Sequence, residues 1–361
     1  SASSAEMWTK WDNVKKGIGW MFKQDAPLLF NPMPNFFDWA DTYSKYMWMA
    51  NFFYTSVSGK YKINSEHAFK ISVKSRELYF EIAENENIDF DLTRKGAIQI
   101  YDNAIDFEKA KLKKHWIENV GCEWTELSKD EVFEIEPALN KEKKVAGGIY
   151  TESDASGDIH KYCVDLSRVL SSKYGVKFRF NEKVKDINGT SFPIISTDKE
   201  DIPFDKVVIC AGVKTQEFRN KFRDNFRIYP VKGYSITIDL DDEISKSAAP
   251  HVSIKDDHNK IVSSRLGNRL RVAGTAELAG ENKEVREERI TPLIEWVNNC
   301  FPEVNTENII TWAGLRPMTS DMVPIMRESK RKNVFYNSGH GHLGWTMGAF
   351  AGKFISDLIE D

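Results

Sequence analysis

The sequence predicts an α/β fold in which two units are interleaved. α/β segments at both ends of the chain flank an antiparallel, strand-rich middle. Three observations carry this. Residues 229–277 read almost wholly as strand, with runs at Tyr234-Ser235-Ile236-Thr237-Ile238 and Leu270-Arg271-Val272-Ala273-Gly274. Strand-then-helix pairs stand on either side, at 147–150 with 160–173 and at 333–338 with 345–359. No internal repeat or low-complexity linker divides the chain, so neither unit is one contiguous stretch.

Composition narrows the function. The 361 residues are 41% hydrophobic and 29% charged, as in an ordinary globular protein. A net charge of -4 gives no reason to expect nucleic-acid binding. Four dispersed cysteines (Cys122, Cys163, Cys210, Cys300) form no C-x-x-C pair, so no zinc site or disulfide framework is expected, and a reducing compartment is the default. No apolar run reaches membrane-spanning length, and nothing reads as a secretory leader.

Residues 1–56 are crowded with aromatics, among them Trp8, Trp11, Trp20, Phe22, Phe36, Phe37, Trp39, Tyr43, Trp48, Phe53 and Tyr54. Pro27, Pro32 and Pro34 break the stretch, and residues 14–22 form a candidate amphipathic helix with Lys15, Lys16 and Lys23 on its polar side. Two readings stand: an aromatic core that also walls a large planar ligand, or an interfacial patch touching a membrane or an electron acceptor.

A helix is expected over 65–87 with Ser65 as its cap, then paired strands over 88–92 and 96–101, then a helix over 104–119. Ser128-Lys129-Asp130-Glu131 is a capping box, and Pro137 ends that helix. Asp158 suits the N-cap of the helix over 160–173, which Gly175 ends. Residues 176–180 alternate as a strand. Asn188-Gly189 marks a hairpin between 184–187 and 192–195, and the sequon Asn188-Gly189-Thr190 is discounted for an intracellular chain. The strand over 204–212 ends in Ala211-Gly212, where another backbone or a cofactor can come close. Helix follows over 284–300, and 309–319 leads back toward the C-terminus.

The loop Gly339-His340-Gly341-His342-Leu343-Gly344 spells G-x-G-x-x-G between strand and helix. A dinucleotide fingerprint needs a second strand and an acidic ribose partner downstream, and neither follows here. What remains is a close-approach loop feeding the partly positive N-terminus of a helix. That suits a reduced flavin, negative at its pyrimidine end; the plainer alternative is a tight turn without a ligand.

Arg316 lies in an apolar stretch, Trp312-Ala313-Gly314-Leu315, and requires a partner. It is either a clamp for a substrate carboxylate or half of an ion pair with Asp321. The Tyr234 hydroxyl is a candidate second contact on that carboxylate, the alternative being a tyrosine packed in a sheet. His340 and His342 lack the further ligands a metal needs, so no metal is expected. One of them touches flavin or substrate, or both only shape the turn.

Five stretches together resemble one family: residues 150–158 (Tyr-Thr-Glu-Ser-Asp-Ala-Ser-Gly-Asp), 229–235 (Tyr-Pro-Val-Lys-Gly-Tyr-Ser), 271–277 (Arg-Val-Ala-Gly-Thr-Ala-Glu), 314–319 (Gly-Leu-Arg-Pro-Met-Thr) and 338–347. They are similar to the small subunit of bacterial D-amino-acid dehydrogenase, within the D-amino-acid oxidase and glycine oxidase superfamily. The resemblance implies a D-amino-acid oxidase-like two-domain fold, with an FAD domain over 1–14, 145–222 and 312–361 and an antiparallel-sheet substrate domain over 15–144 and 223–311. It implies oxidative deamination of D-amino acids to 2-oxo acids and ammonia, by hydride transfer from Cα to flavin N5. Electrons would pass to the respiratory chain from a cytoplasmic protein, peripheral on the inner membrane.

By position, Gly339, Gly341, His342, Leu343, Gly344, Trp345 and Thr346 would meet the flavin, Val184 the adenine end, and Ala211 and Gly212 the cofactor nearby. Arg316, Tyr234 and His340 would serve the substrate. One departure stands out. The family's opening strand, G-x-G-x-x-G loop and helix do not occur here, so an N-terminally truncated chain that holds FAD weakly is expected. Two other readings remain: a glycine-, sarcosine- or proline-type flavin amine oxidase, and a non-catalytic subunit completed by a partner.

Overall fold

A computed structural model describes residues 2–20, 28–29, 39–189 and 192–360. Phe22, Lys23, Pro27, Pro32, Pro34, Phe36, Phe37 and Thr190, all used above, lie outside these residues. Helix α1 (Trp11–Trp20) and the two-residue strand β1 (Leu28–Leu29) precede two long helices, α2 (Trp39–Val57) and α3 (Lys60–Glu86). Helix α2 was not expected, because its aromatic residues favour strands in isolation; burial of Trp48 and Thr55 on one side fixes it as a helix instead.

Helix α3 begins at Lys60, after Gly59 turns the chain at φ 73°. Ser65 is therefore no cap; its hydroxyl accepts from the Met7 amide at 3.2 Å. Residues 88–92 form no strand either. The Phe90 carbonyl instead accepts from the Asp158 amide at 2.6 Å, at the start of a later helix.

Strand β2 (Ala97–Tyr101) is followed by α4 (Ala104–Lys111) and α5 (Lys114–Glu118), two helices where one was expected. Then come β3 (Thr125–Leu127), α6 (Lys129–Ile135), β4 (Gly147–Thr151) and α7 (Ile159–Tyr174). The local signals hold. Ser128 and Glu131 form the capping box, Asp158 accepts from the His160 and Lys161 amides, and Gly175 ends α7 at φ 68°.

Residues 176–180 are extended but unpaired among the described residues; Phe178 and Phe180 stack on each other at 5.7 Å in solvent. Strands β5 (Val184–Asn188) and β6 (Ile194–Thr197) form the expected hairpin, and β7 (Asp201–Pro203) extends it.

The rest of the chain gives β8 (Val207–Ile209), α8 (Thr215–Phe222), β9 (Ile228–Asp239), α9 (Glu243–Ala248), β10 (Ser253–Asp256), β11 (Ile261–Leu266) and β12 (Arg269–Glu277). Helix α10 (Glu287–Cys300), β13 (Ile309–Thr319), β14 (Ile325–Glu328), β15 (Val334–Ser338) and α11 (Gly344–Glu360) complete it.

Nine strands form one sheet, in the order β13-β9-β12-β11-β10-β2-β4-β3 with β1 beside β12. A second sheet is β14-β15-β8, in which β15 and β8 run parallel. The large sheet has two unlike faces. One packs Ile98, Tyr234, Ile236 and Val272 against Leu293 and Val297 of α10. The other meets Trp48, Met318, Leu343 and Met347 at its end, while Ile310, Trp312 and Val262 along its middle remain 59%, 54% and 41% exposed. A sheet face with large apolar side chains left open is a surface built for an occupant.

Candidate active site

Strands β8 and β15 pair through Ile209 and Tyr336, so their C-terminal ends emerge side by side. That is where ligands bind in an open parallel sheet. Ala211-Gly212 leaves one strand and Gly339–Gly344 the other, and Ser338 ties them: its hydroxyl accepts from Thr215 Oγ1 at 2.9 Å and donates to the Gly212 carbonyl at 3.2 Å. Among the described residues nothing lies within 4 Å of where a Gly212 side chain would point.

The second loop is pressed against β13. Gly339 has φ 77° and Gly341 φ 58°, and a Cβ on them would stand 2.9 Å from Thr319 and 3.2 Å from Met318. Met318 and His340 form a β-bridge. Helix α11 starts at Gly344 with no acidic residue in its first turn, so the partly positive helix start carries no side-chain anion of its own there.

The structure divides the other expected residues. Trp345 packs its ring against Tyr79 at 4.2 Å and Tyr162 at 5.3 Å, away from the loop, and offers the site only its backbone. Thr346 lines a cavity of about 50 Å³ with Ala2, Arg76 and Asp154. Asp154 clamps the N-terminal turn, accepting from the Ala2 amide at 2.7 Å and the Ser3 amide at 3.2 Å. Val184 lies on the separate β5-β6-β7 sheet, 42% exposed.

Arg316 projects from β13 onto the open face. Register explains how it fits: Gly233 and Gly314 are direct cross-strand partners on that face. A Cβ on Gly233 would collide with the Arg316 guanidinium, and one on Gly314 with the Trp312 ring. Two glycines thus make a trough for a planar cation and an indole. The guanidinium donates to the carbonyls of Thr275 at 3.1 Å and Lys232 at 3.3 Å. Among the described residues no carboxylate pairs with it. Asp321, the expected partner, accepts from the Val323 amide instead. Burial lowers its pKa to about 10, leaving it charged at neutral pH.

His342 stacks on Trp8 at 4.3 Å. Burial, then the Arg316 and Lys255 charges, lower its pKa to about 3, so its ring is neutral. His340 is lowered by burial to about 4, and its Nε2 is buried without a hydrogen-bond partner among the described residues.

Tyr234 is the correction. Residues alternate across a strand, and Tyr234 follows Gly233, so its side chain leaves the opposite face from Arg316. Its hydroxyl donates to Glu277 Oε2 at 2.5 Å, in a buried group where Glu277 also meets Lys232 at 3.4 Å and Arg286 at 2.9 Å. The two residues therefore do not grip one carboxylate. Sequence reasoning missed the Gly233–Gly314 trough; both glycines were visible, but not their pairing across strands.

A family of FAD dependent oxidoreductases matches residues 41–358. The chain belongs to this family. Among its relatives, D-amino acid dehydrogenase 3 of Mesorhizobium japonicum is 43% identical over 99% of this chain and 85% of its own length. D-amino acid dehydrogenase of Neisseria meningitidis is 32% identical over 96% of this chain and 81% of its own. Glycine oxidase from Bacillus cereus superposes with a TM-score of 0.72 at 23% identity over 81% of this chain and 80% of its own, a likeness of fold.

The residues present fit the flavin end of FAD. The Gly339–Gly344 loop with its helix start, the open space beside Gly212 and the buried His340 Nε2, without a partner among the described residues, all follow the adjoining ends of β8 and β15. As an FAD-dependent oxidoreductase, the chain would hold the flavin with the Gly339–Gly344 loop.

Proposed function

We propose that this chain oxidises D-amino acids to 2-oxo acids and ammonia. The observation that carries the proposal is Arg316: a charged guanidinium on an open sheet face, beside the glycine loop, with no carboxylate partner among the described residues. A free amino acid supplies that carboxylate. When bound, FAD would supply the hydride acceptor; loss of that hydride from Cα and of a proton from the amine leaves an imine, which water hydrolyses to the 2-oxo acid and ammonia. The chain's own part is to orient and to exclude water. Arg316 fixes the carboxylate, Trp312 and His342 wall the pocket, and the neutral His342 adds no competing charge. His340 serves the loop rather than the substrate.

Electrons go on to the respiratory chain, with the protein peripheral on the cytoplasmic side of the inner membrane. The exposed stripe Trp39, Tyr43, Phe53 and Tyr54 on α2 supports such contact, and no helix among the described residues is long and apolar enough to cross a membrane. The outer edge of β8 has no partner among the described residues, and Val208 is 37% exposed there. That edge suits a further parallel strand, bringing the pyrophosphate loop that these residues lack.

Turnover tests the proposal. With FAD and an artificial acceptor, D-alanine is oxidised while sarcosine, glycine and L-proline are poor substrates. Preference for any of those three overturns it.

A further inference from the structure

Lys255 shares the open face with Arg316. The register runs Lys255 to Val262, Val262 to Ala273, Ala273 to Ser235 and Ser235 to Trp312, and directly opposed residues point to the same side. Trp312 and Arg316 are four residues apart on β13, hence also on that side. The two cations therefore share that face, Arg316 on β13 and Lys255 on β10, and the charges of both act on His342.

Lys255 has no ion pair or hydrogen bond among the described residues, although two carboxylates are near. Asp257 is committed to Gln99 at 3.0 Å and Lys260 at 3.1 Å. Glu6 is committed to Lys113 at 2.7 Å and to the Tyr61 hydroxyl. Lys10 stands beside Lys113 and adds a further positive charge. Burial disfavours the Lys255 ammonium, and an incoming anion would restore it. Around Lys255 thus stand Lys113, Lys260 and two carboxylates, Glu6 and Asp257, each already engaged by another cation.

We propose that Lys255 reads the substrate side chain, and that the amino acids taken best end in a side-chain carboxylate. The inference rests on the D-amino-acid reading above, in which Arg316 holds the α-carboxylate; the second cation then meets the second anion.

Two unreactive probes test it by calorimetry on the purified chain: glutarate, with two carboxylates, and pentanoate, with one. Wild type is expected to bind glutarate at least about tenfold more tightly, as for a charge-assisted pair in a buried site. Lys255→Met abolishes the preference, Lys255→Arg keeps it, and Arg316→Met weakens both probes. The ratio of KM for D-2-aminopentanoate to KM for D-glutamate follows the same order, a split that a merely structural role would not produce. Equal binding of the probes by wild type, or an unchanged preference in Lys255→Met, overturns the inference. Oxidation of D-amino acids without that preference sinks the inference alone; no oxidation of any D-amino acid sinks the activity and the inference with it.

Discussion

Replacing Arg316 by methionine separates a substrate clamp from a structural cation. Keeping the guanidinium charged where it is buried is costly. The fall of its pKa from the ordinary guanidinium value to about 10 corresponds to roughly 3 kcal/mol, at about 1.4 kcal/mol per pH unit. Its compensation is one nitrogen shared between two carbonyls, on the order of 1.5–3 kcal/mol for a charged donor. The two effects nearly cancel, and methionine fills the same trough. Arg316→Met should therefore melt within a few degrees of wild type.

Catalysis should behave otherwise. Losing the partner of a desolvated substrate carboxylate costs about 2–5 kcal/mol, which is roughly 30- to 4,000-fold in kcat/KM. The assay pairs thermal melts with steady-state oxidation of D-alanine by the FAD-supplied chain and an artificial acceptor. A variant that melts far lower while its surviving fraction keeps wild-type kinetics would show that Arg316 is structural, and the reasoning would fail.

Other outcomes follow from the same geometry. Gly233→Ala places a methyl against the guanidinium, so kcat/KM should fall by roughly 10²-fold as the clamp is displaced; unchanged kinetics would mean that the trough is not needed. Tyr234→Phe should leave kinetics essentially unchanged, because the hydroxyl is on the opposite face, while urea unfolding records a loss of about 1 kcal/mol from the Glu277 bond. His340 and His342 have folded pKa values of about 4 and 3 against 6.5 unfolded. Below pH 6.5 the unfolded chain binds protons that the folded chain refuses, so their stabilisation is complete above that pH and is lost as pH falls. Each contributes a slope of about 1.4 kcal/mol per pH unit in that window, and His342→Phe should flatten the measured slope between pH 6.5 and 5.

Legibility in the sequence followed the range of the interaction. The Ser128 box, the Asp158 cap, Gly175 and the Asn188-Gly189 hairpin are local devices, readable without a partner, and each formed as expected. Strands over 88–92 and 176–180 did not form, because pairing depends on distant neighbours that alternation alone cannot reveal. Helix α2 was hidden by strand-favouring aromatics that tertiary packing overrode.

The site shows the same division. Arg316 stood out as a charge among apolar residues, and the glycine loop by its spacing. Of the two readings of Tyr234, the tyrosine packed in a sheet holds and the carboxylate contact does not, because a one-residue step along β9 moves a side chain across the sheet. The Gly233–Gly314 pairing and the face shared by Lys255 and Arg316 needed the register of several strands.

The central claim is that bound flavin in this chain takes a hydride from D-amino acids. The most direct measurement is the blue absorbance of the FAD-saturated chain, followed anaerobically as D-alanine or L-alanine is added. Bleaching by D-alanine alone is predicted. A spectrum that neither isomer bleaches, or that L-alanine bleaches equally, would contradict it.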